Sequence, residues 1–224
     1  MNSKKEKKKK KKENNFVFDF IKVTILMIAF VYFRQKVLRV SDKAPKRIKG
    51  GALVAANHIG FLDPVLIHCV FWDRRMWCLA TKDLYASKAK RRFFEAAHCI
   101  IVDKENFSMG SLHAACDRLK DDKVVMIFPE GHVNFEAEKL DSYKSGAILM
   151  AHLSKKPIIP VYIAPPKRWY NRRVVVVGEP IDVNALCGKI PTMDEMEKAS
   201  AYMREKEMQL KEYYENYENR RKKK

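Results

Sequence analysis

The chain has no cysteine arrangement that could act as a unit. Cys69, Cys78, Cys99, Cys116 and Cys187 are scattered, and no two stand in a CxxC spacing. An odd, dispersed set argues against a disulfide scaffold and against a structural zinc site. The five read instead as buried thiols in a reducing compartment, and no metal site is expected. A GxSxG elbow is also missing, so there is no sign of a serine nucleophile raised on a strand-to-helix turn. No repeat with a period of roughly 20–50 residues points to a solenoid or propeller. Recognition-helix patterns, RNP motifs and zinc-finger spacings are absent, so a pI of about 9.7 does not by itself indicate nucleic-acid binding.

What is present is one ordinary domain with a small appendage: 224 residues, 47% hydrophobic and 32% charged. Those fractions exclude wholesale disorder and a polytopic membrane protein. The net charge of +18 is placed unevenly. Eight lysines and one glutamate fall in residues 1–12, five basic residues close the chain at 220–224, and the body between carries only +6. Residues 1–15 therefore read as a disordered polybasic tail, 16–35 as a membrane-associated helix, 36–218 as the folded body and 219–224 as a basic C-terminal tail.

The segment Phe16 to Phe33 is apolar except for Asp19, Lys22 and Thr24. As a helix it would be about 27 Å long, marginal against a hydrocarbon core of about 30 Å. It could span, lie in the interface, or pack against the body. Membrane attachment is favoured, because anionic headgroups attract flanking lysines by about 1 kcal/mol each. Arg34-Gln35-Lys36 does not resemble a signal-cleavage site. The basic flank places the attachment on the cytoplasmic face of the cell membrane.

From Lys36 onward, strands and helices alternate. Strands are expected at Lys36–Val40 (an edge strand), Gly51–Ala56, Met76–Ala80, Cys99–Val102, Val124–Phe128, Ile158–Ile163 and Arg173–Val177. Helices are expected at Pro64–Phe71, Ser108–Leu119 with Ser108 or Ser111 as cap, and Gly146–Leu153. A last helix opens on the capping box Thr192-Met-Asp-Glu195. Its Met196, Ala199, Met203, Leu210, Tyr214 and Tyr217 form a docking stripe. The fold class is α/β, a mixed, largely parallel central sheet flanked by helices, with the N-terminal membrane-associated helix added.

Two short blocks carry the chemistry. In Asn57-His58-Ile-Gly-Phe-Leu-Asp63-Pro64 a histidine leaves an apolar strand and an aspartate follows at a helix start. A loop that turns back would set the carboxylate on one imidazole nitrogen and make the other a general base. Taken alone, the pair is more often a structural hydrogen bond. In Phe128-Pro129-Glu130-Gly131-His132 an acidic residue sits between Pro and Gly directly after a buried strand, where α/β sheets bind ligands. Taken alone, this is more often a simple strand-to-turn transition.

Together the blocks resemble those of the glycerolipid acyltransferase family, which includes bacterial 1-acyl-sn-glycerol-3-phosphate acyltransferases. Four blocks occur in the family's order over roughly residues 36–180. They are His58-x4-Asp63; Cys99-Ile-Ile-Val-Asp103-Lys104, preceded by Lys82-Asp83-Leu84-Tyr85; Phe128-Pro129-Glu130-Gly131, followed by Tyr143-Lys144-Ser-Gly146; and Ile159-Pro160-Val161-Tyr162-Ile163. The resemblance implies that residues 36–218 are an acyltransferase domain, with His58 as general base and Asp63 as its orienting partner. It implies that Glu130 and Gly131 bind the glycerol-phosphate part of the acceptor and that Pro160 shapes the pocket. Lys104 stands where an arginine is usual. His132-Val133-Asn134 replaces the usual Thr-Arg-Ser, so His132, Lys104 or Lys144 would supply positive charge, with Lys82 also lining the site. Gly60 stands where serine is frequent.

The implied reaction moves a fatty acyl group from acyl-CoA, or from acyl carrier protein, to the 2-hydroxyl of lysophosphatidic acid, giving phosphatidic acid for phospholipid biosynthesis. It needs no covalent acyl-enzyme and no cofactor beyond the donor. The expected partners are the donor, the membrane lipid acceptor and an anionic membrane surface, with no nucleic acid. Another lysolipid acceptor is the alternative. A non-catalytic membrane-surface protein on the same fold is the rival from a different class, and the intact His58/Asp63 pair speaks against it.

Overall fold

The computed structural model describes residues 15–81, 87–102, 109–134, 143, 145–166, 168 and 171–223; Lys82, Lys104, Ser108 and Lys144 lie outside them, as does most of the polybasic tail. Seven strands form one sheet: β1 (Lys36–Arg39), β2 (Ala52–Ala56), β3 (Met76–Thr81), β4 (Cys99–Val102), β5 (Val124–Ile127), β6 (Ile158–Ile163) and β7 (Val174–Val177). Their spatial order is β1-β7-β6-β2-β5-β3-β4. Every pairing is parallel except β6 with β7. The mixed, largely parallel sheet expected from the sequence is the one observed, with β1 at an edge.

Among the described residues, six α-helices flank it: α1 (Asn15–Phe33), α2 (Asp63–Val70), α3 (Lys88–Ala96), α4 (Met109–Lys120), α5 (Gly146–Ser154) and α6 (Met193–Lys222). The central strands are apolar at successive positions because both faces are covered. On one face Val54, Ala56, Met126, Ile159, Val161 and Val175 meet Leu26 and Phe33 of α1 and Leu66 and Ile67 of α2. On the other, Leu53, Ala55, Val125 and Ile158 meet α4, α5 and the start of α6. Leu210 of α6 joins Tyr162 and Val176 farther along that face.

The helix expected at 16–33 forms, but it does not leave the body. Phe18, Leu26, Ala29 and Phe33 are buried, while Val23, Met27, Ile28 and Val31 point outward. Two of the three polar residues that interrupt its apolar run, Asp19 and Lys22, are docking groups, while the Thr24 hydroxyl donates to Phe20 within the helix. Asp19 takes two hydrogen bonds from Arg75, at 2.8 and 2.5 Å, and Lys22 Nζ donates to the Arg74 carbonyl at 2.6 Å. Phe18 stacks on His98, centroids 4.0 Å apart, and His98 stacks in turn on Trp77 at 4.4 Å. No helix among the described residues is long and apolar enough to cross a membrane.

Other differences are local. Ser111 does not cap α4; it lies inside the helix and its hydroxyl donates to the Ile101 carbonyl at 2.8 Å. Helix α3, unexpected from the sequence, buries no residue; Ser87 caps it through the Lys90 N–H. The Thr192–Glu195 capping box is present. Helix α6 continues through Arg220, Arg221 and Lys222, read from the sequence as a separate tail, where cations complement the C-terminal end of the helix dipole.

Candidate active site

The two chemical blocks are far apart in sequence and adjacent in space because β2 and β5 are parallel neighbours. The register sets Ala55 opposite Ile127. Three residues beyond each, His58 and Glu130 leave the same edge of the sheet. The carboxyl ends of the strands are where open α/β sheets collect ligands.

Beyond β2, Asn57 is buried and acts as a strut. Its Nδ2 donates to the Ile163 carbonyl at 3.0 Å, and its Oδ1 accepts from the Ile163 N–H at 2.7 Å. The side-chain amide thereby extends the β2–β6 ladder by one rung and fixes where His58 starts. The chain then turns sharply into α2. Asp63, the first residue of that helix and 3% exposed, points back into the turn. Its Oδ2 accepts from the backbone N–H groups of Ile59 and Gly60, each at 2.7 Å, and lies 3.0 Å from His58 Nδ1. A carboxylate only accepts, so across this contact Nδ1 is the donor. The His58 side chain retains 16% exposure. The contact holds the ring plane of His58 and leaves one side of it open, the geometry a general base would use.

Beyond β5, Phe128 to Gly131 forms a β-turn closed by the Gly131 N–H to the Phe128 carbonyl at 3.0 Å. Pro129 occupies the second position, where its fixed φ is favourable. Gly131 has φ +77°, a left-handed conformation that a side chain would strain. Glu130 is 3% exposed, a deeply set carboxyl at the strand end. The two blocks touch twice: the His58 ring stacks on Phe128, and the Asn134 N–H donates to the His58 carbonyl at 2.7 Å.

His58, Asp63, Glu130 and Gly131 are thus assembled at one sheet edge. His132 follows them on the surface, its Nδ1 3.1 Å from the Glu130 carbonyl. Pro160 sits in β6 with its ring toward Gly178, where a Cβ would come within 2.8 Å of Pro160 Cγ, on the α6 side of the sheet. The sequence reading missed three contributors: Phe128 as a platform, Asn134 as a tie, and Glu207 of α6. Glu207 is 1% exposed and accepts a hydrogen bond from the Tyr143 hydroxyl. A signal for it existed. The docking stripe of α6 skips from Met203 to Leu210, and Glu207 fills the vacant helical position between them.

Burial pushes the Glu207 carboxyl well above the usual carboxylate range, and the charge of Glu130 adds to the shift; the Asn57 backbone N–H opposes both.

The 1-acyl-sn-glycerol-3-phosphate acyltransferase of Bacillus subtilis (strain 168) is 26% identical over 149 residues, covering 64% of this chain and 73% of that protein. The crystal structure of the 1-acyl-sn-glycerophosphate (LPA) acyltransferase PlsC from Thermotoga maritima shares the fold. It matches with a TM-score of 0.64 at 19% identity, covering 91% of this chain and 84% of that one. The family model described as Acyltransferase matches residues 37–164, a span that holds β1 to β6, the His58 turn and the Glu130 turn. With more than half its length inside that match, the chain belongs to the acyltransferase family.

Proposed function

We propose that this acyltransferase moves a fatty acyl group from acyl-CoA, or from acyl carrier protein, to the 2-hydroxyl of 1-acylglycerol-3-phosphate, giving phosphatidic acid. The observation that carries this reading is the His58 Nδ1 to Asp63 Oδ2 contact of 3.0 Å, set beside the Glu130 turn. His58 Nε2 takes the proton of the acceptor hydroxyl as its oxygen attacks the thioester carbonyl. The imidazolium that forms is held by Asp63. The tetrahedral intermediate collapses, the carbon–sulfur bond breaks, and the thiolate leaves with the proton from His58. The thioester is already activated, so no acyl-enzyme is required. Glu130 and Gly131 receive the glycerol-phosphate part of the acceptor, with Lys104, Lys82, Lys144 and His132 as sources of positive charge and Pro160 shaping the pocket.

The same reading puts the protein on the cytoplasmic face of the membrane. The outward face of α1 offers Val23, Met27, Ile28 and Val31, and the turn beside His58 adds Phe61, 77% exposed, and Leu62. Apolar side chains inserted at the interface, with a polybasic segment next to them, form a two-part attachment to anionic lipid. A different lysolipid acceptor is the second reading. It is favoured by His132-Val133-Asn134 in place of an arginine-bearing segment, since a bidentate phosphate donor is then missing from that block.

The test is to incubate the detergent-purified protein with palmitoyl-CoA and lysophosphatidic acid, following thiol release and phosphatidic acid by mass spectrometry, with His58→Ala as control. His58-dependent phosphatidic acid is the expected result. Thiol release without phosphatidic acid would transfer the reading to another acceptor. If acyl-CoA and acyl carrier protein both fail as donors, the reading falls.

A further inference from the structure

We propose that α3 is a second lipid-binding element: a cationic helix that lies against an anionic bilayer surface, with Phe93 as its apolar wedge. The inference goes beyond the attachment through α1 and the Phe61–Leu62 turn, and it comes from a different part of the chain. Helix α3 reads KAKRRFFEA, with four basic residues and one acidic residue among nine. A helix that covers a sheet turns an apolar stripe inward, yet α3 buries no residue. All its residues except Phe94 and Ala96 are exposed, and those two are half-buried.

The charges of α3 are largely unanswered by the protein. Its acidic residue is taken up locally, since Arg91 Nε donates to Glu95 Oε1 at 2.9 Å. Lys88, Lys90 and Arg92 form no ion pair among the described residues. The apolar residues have a matching order. Ala89, Phe93 and Ala96 recur at i, i+4 and i+7 and so line one side of the helix, with Lys90 and Arg92 flanking that line. Phe93 is 45% exposed. An aromatic ring set between cations is poorly suited to water. At a bilayer the ring enters the interface while the long basic side chains reach the headgroups.

The place of α3 in the fold points to the same partner. Its last turn is tied to His98: the Ala97 N–H donates to the Phe93 carbonyl at 2.8 Å, and the His98 N–H to the Glu95 carbonyl at 3.2 Å. The His98 ring stacks on Phe18 of α1. Phe18 lies about one turn inside α1, which begins at Asn15, and the eight lysines of residues 1–12 precede it in the sequence. The end of α3 therefore adjoins the end of α1 that the lysine run enters. Farther along, α1 turns Val23, Met27, Ile28 and Val31 outward. An acidic protein would answer the cations of α3 alone. An anionic bilayer answers those cations, Phe93 and the outward face of α1 together.

The experiment measures cosedimentation of the full chain with two sets of vesicles, one of phosphatidylcholine and one of phosphatidylcholine and phosphatidylglycerol in equal amounts. The triple substitution Lys88→Gln, Lys90→Gln and Arg92→Gln is expected to weaken binding to the anionic set by about tenfold to a hundredfold, the scale of three cations at a charged surface. Binding to the neutral set should change little. Phe93→Ser is expected to weaken binding to both sets by up to about tenfold, the scale of a partly buried aromatic ring. All four positions are exposed, so Tm should stay close to wild type. Phe93→Trp supplies a second readout: the fluorescence it adds over wild type should shift to the blue with anionic vesicles and be quenched by brominated lipid. Wild-type affinity of the triple variant for anionic vesicles would overturn the proposal, and so would an unshifted spectrum from Phe93→Trp. A triple variant that binds vesicles normally but loses affinity for acyl carrier protein would make α3 a protein-docking surface and overturn it too. A wild type that binds neither set would sink this proposal and the α1 attachment together. None of these readouts uses turnover, so the acyl-transfer reading stands or falls separately.

Discussion

The imidazole of His58 lies on the ring of Phe128, centroids 4.0 Å apart and planes within 20° of each other. Phe128 opens the turn that carries Glu130, so this stack joins the two chemical blocks directly. It also complements the Asp63 bond: the carboxylate fixes one ring nitrogen and the aromatic face limits tilting about it. A stacked pair contributes about 0.5–1.5 kcal/mol beyond its buried area, up to roughly tenfold in rate if it is lost from the reacting geometry. Phe128→Leu is therefore expected to lower kcat by up to about tenfold while leaving the acceptor KM nearly unchanged. A change confined to KM would mean that the stack shapes binding and not the base.

The His58–Asp63 pair should behave as a unit. On the proposed mechanism, His58→Ala removes the base and Asp63→Asn removes the carboxylate that orients it. Each is expected to cost about 10²–10⁴-fold in thiol release. The double variant is expected to be no slower than His58→Ala alone, because Asp63 acts only through His58. Additive losses would give Asp63 a separate role.

Gly60 provides a sharper probe of the turn. Its N–H donates to Asp63 Oδ2 at 2.7 Å, and an added Cβ would meet Asp63 Oδ1 at an ordinary 3.7 Å. Gly60→Ser keeps the N–H and fits the space, whereas Gly60→Pro deletes the donor. Steady-state turnover should distinguish them, with the proline variant lower by an order of magnitude or more, about what one lost hydrogen bond to a charged group costs. Equal rates would show that the Ile59 N–H alone suffices to hold Asp63.

Much of this was legible in the primary structure, for identifiable reasons. The buried strands, such as VVMI of β5, are continuous apolar runs, and the start of α6 carries a complete capping box. The His58 and Glu130 blocks are local, so each could be found as a short text. Their adjacency could not, because it depends on β5 pairing with β2. The function of Asp19 and Lys22 was hidden for a similar reason: their partners Arg75 and Arg74 lie more than fifty residues away. Glu207 was the least visible. A single carboxyl on an otherwise charged helix looks like surface until the sheet shows which side of α6 faces inward.

The two faces of α1 should separate by mutation. Leu26 and Phe33 are buried in the core, so Leu26→Ala is expected to destabilise the fold by about 2–5 kcal/mol. Met27 and Val31 face outward, so aspartate at both is expected to weaken cosedimentation with anionic vesicles while leaving Tm close to wild type. Vesicle binding that survives the double substitution would assign attachment to the polybasic tail, to α3 or to the Phe61–Leu62 turn.

Stability should fall away on both sides of a middle pH range, for opposite reasons. His68 of α2 sits beside Phe18 of α1 with its Nδ1 buried, and burial, with Lys22 and His98 nearby, holds the imidazole down to about 3. The unfolded chain takes up a proton on that histidine near its ordinary value of 6.5, so its contribution to stability is full above that pH. It is lost as pH falls from there toward 3. Glu207 has the other sign. Its proton is retained in the fold, under burial and the charge of Glu130, while the unfolded chain releases it near 4.5. Its contribution is full below that value and is lost as pH rises toward the elevated folded value. Urea unfolding across a pH series should therefore show a flatter alkaline limb for Glu207→Gln, with a gain over wild type at roughly pH 8 and little difference at roughly pH 4. A flatter acid limb is expected for His68→Leu. If Glu207→Gln lowers stability at alkaline pH instead, the wild-type carboxyl is ionised there and stabilised by a cation, and burial does not hold its proton.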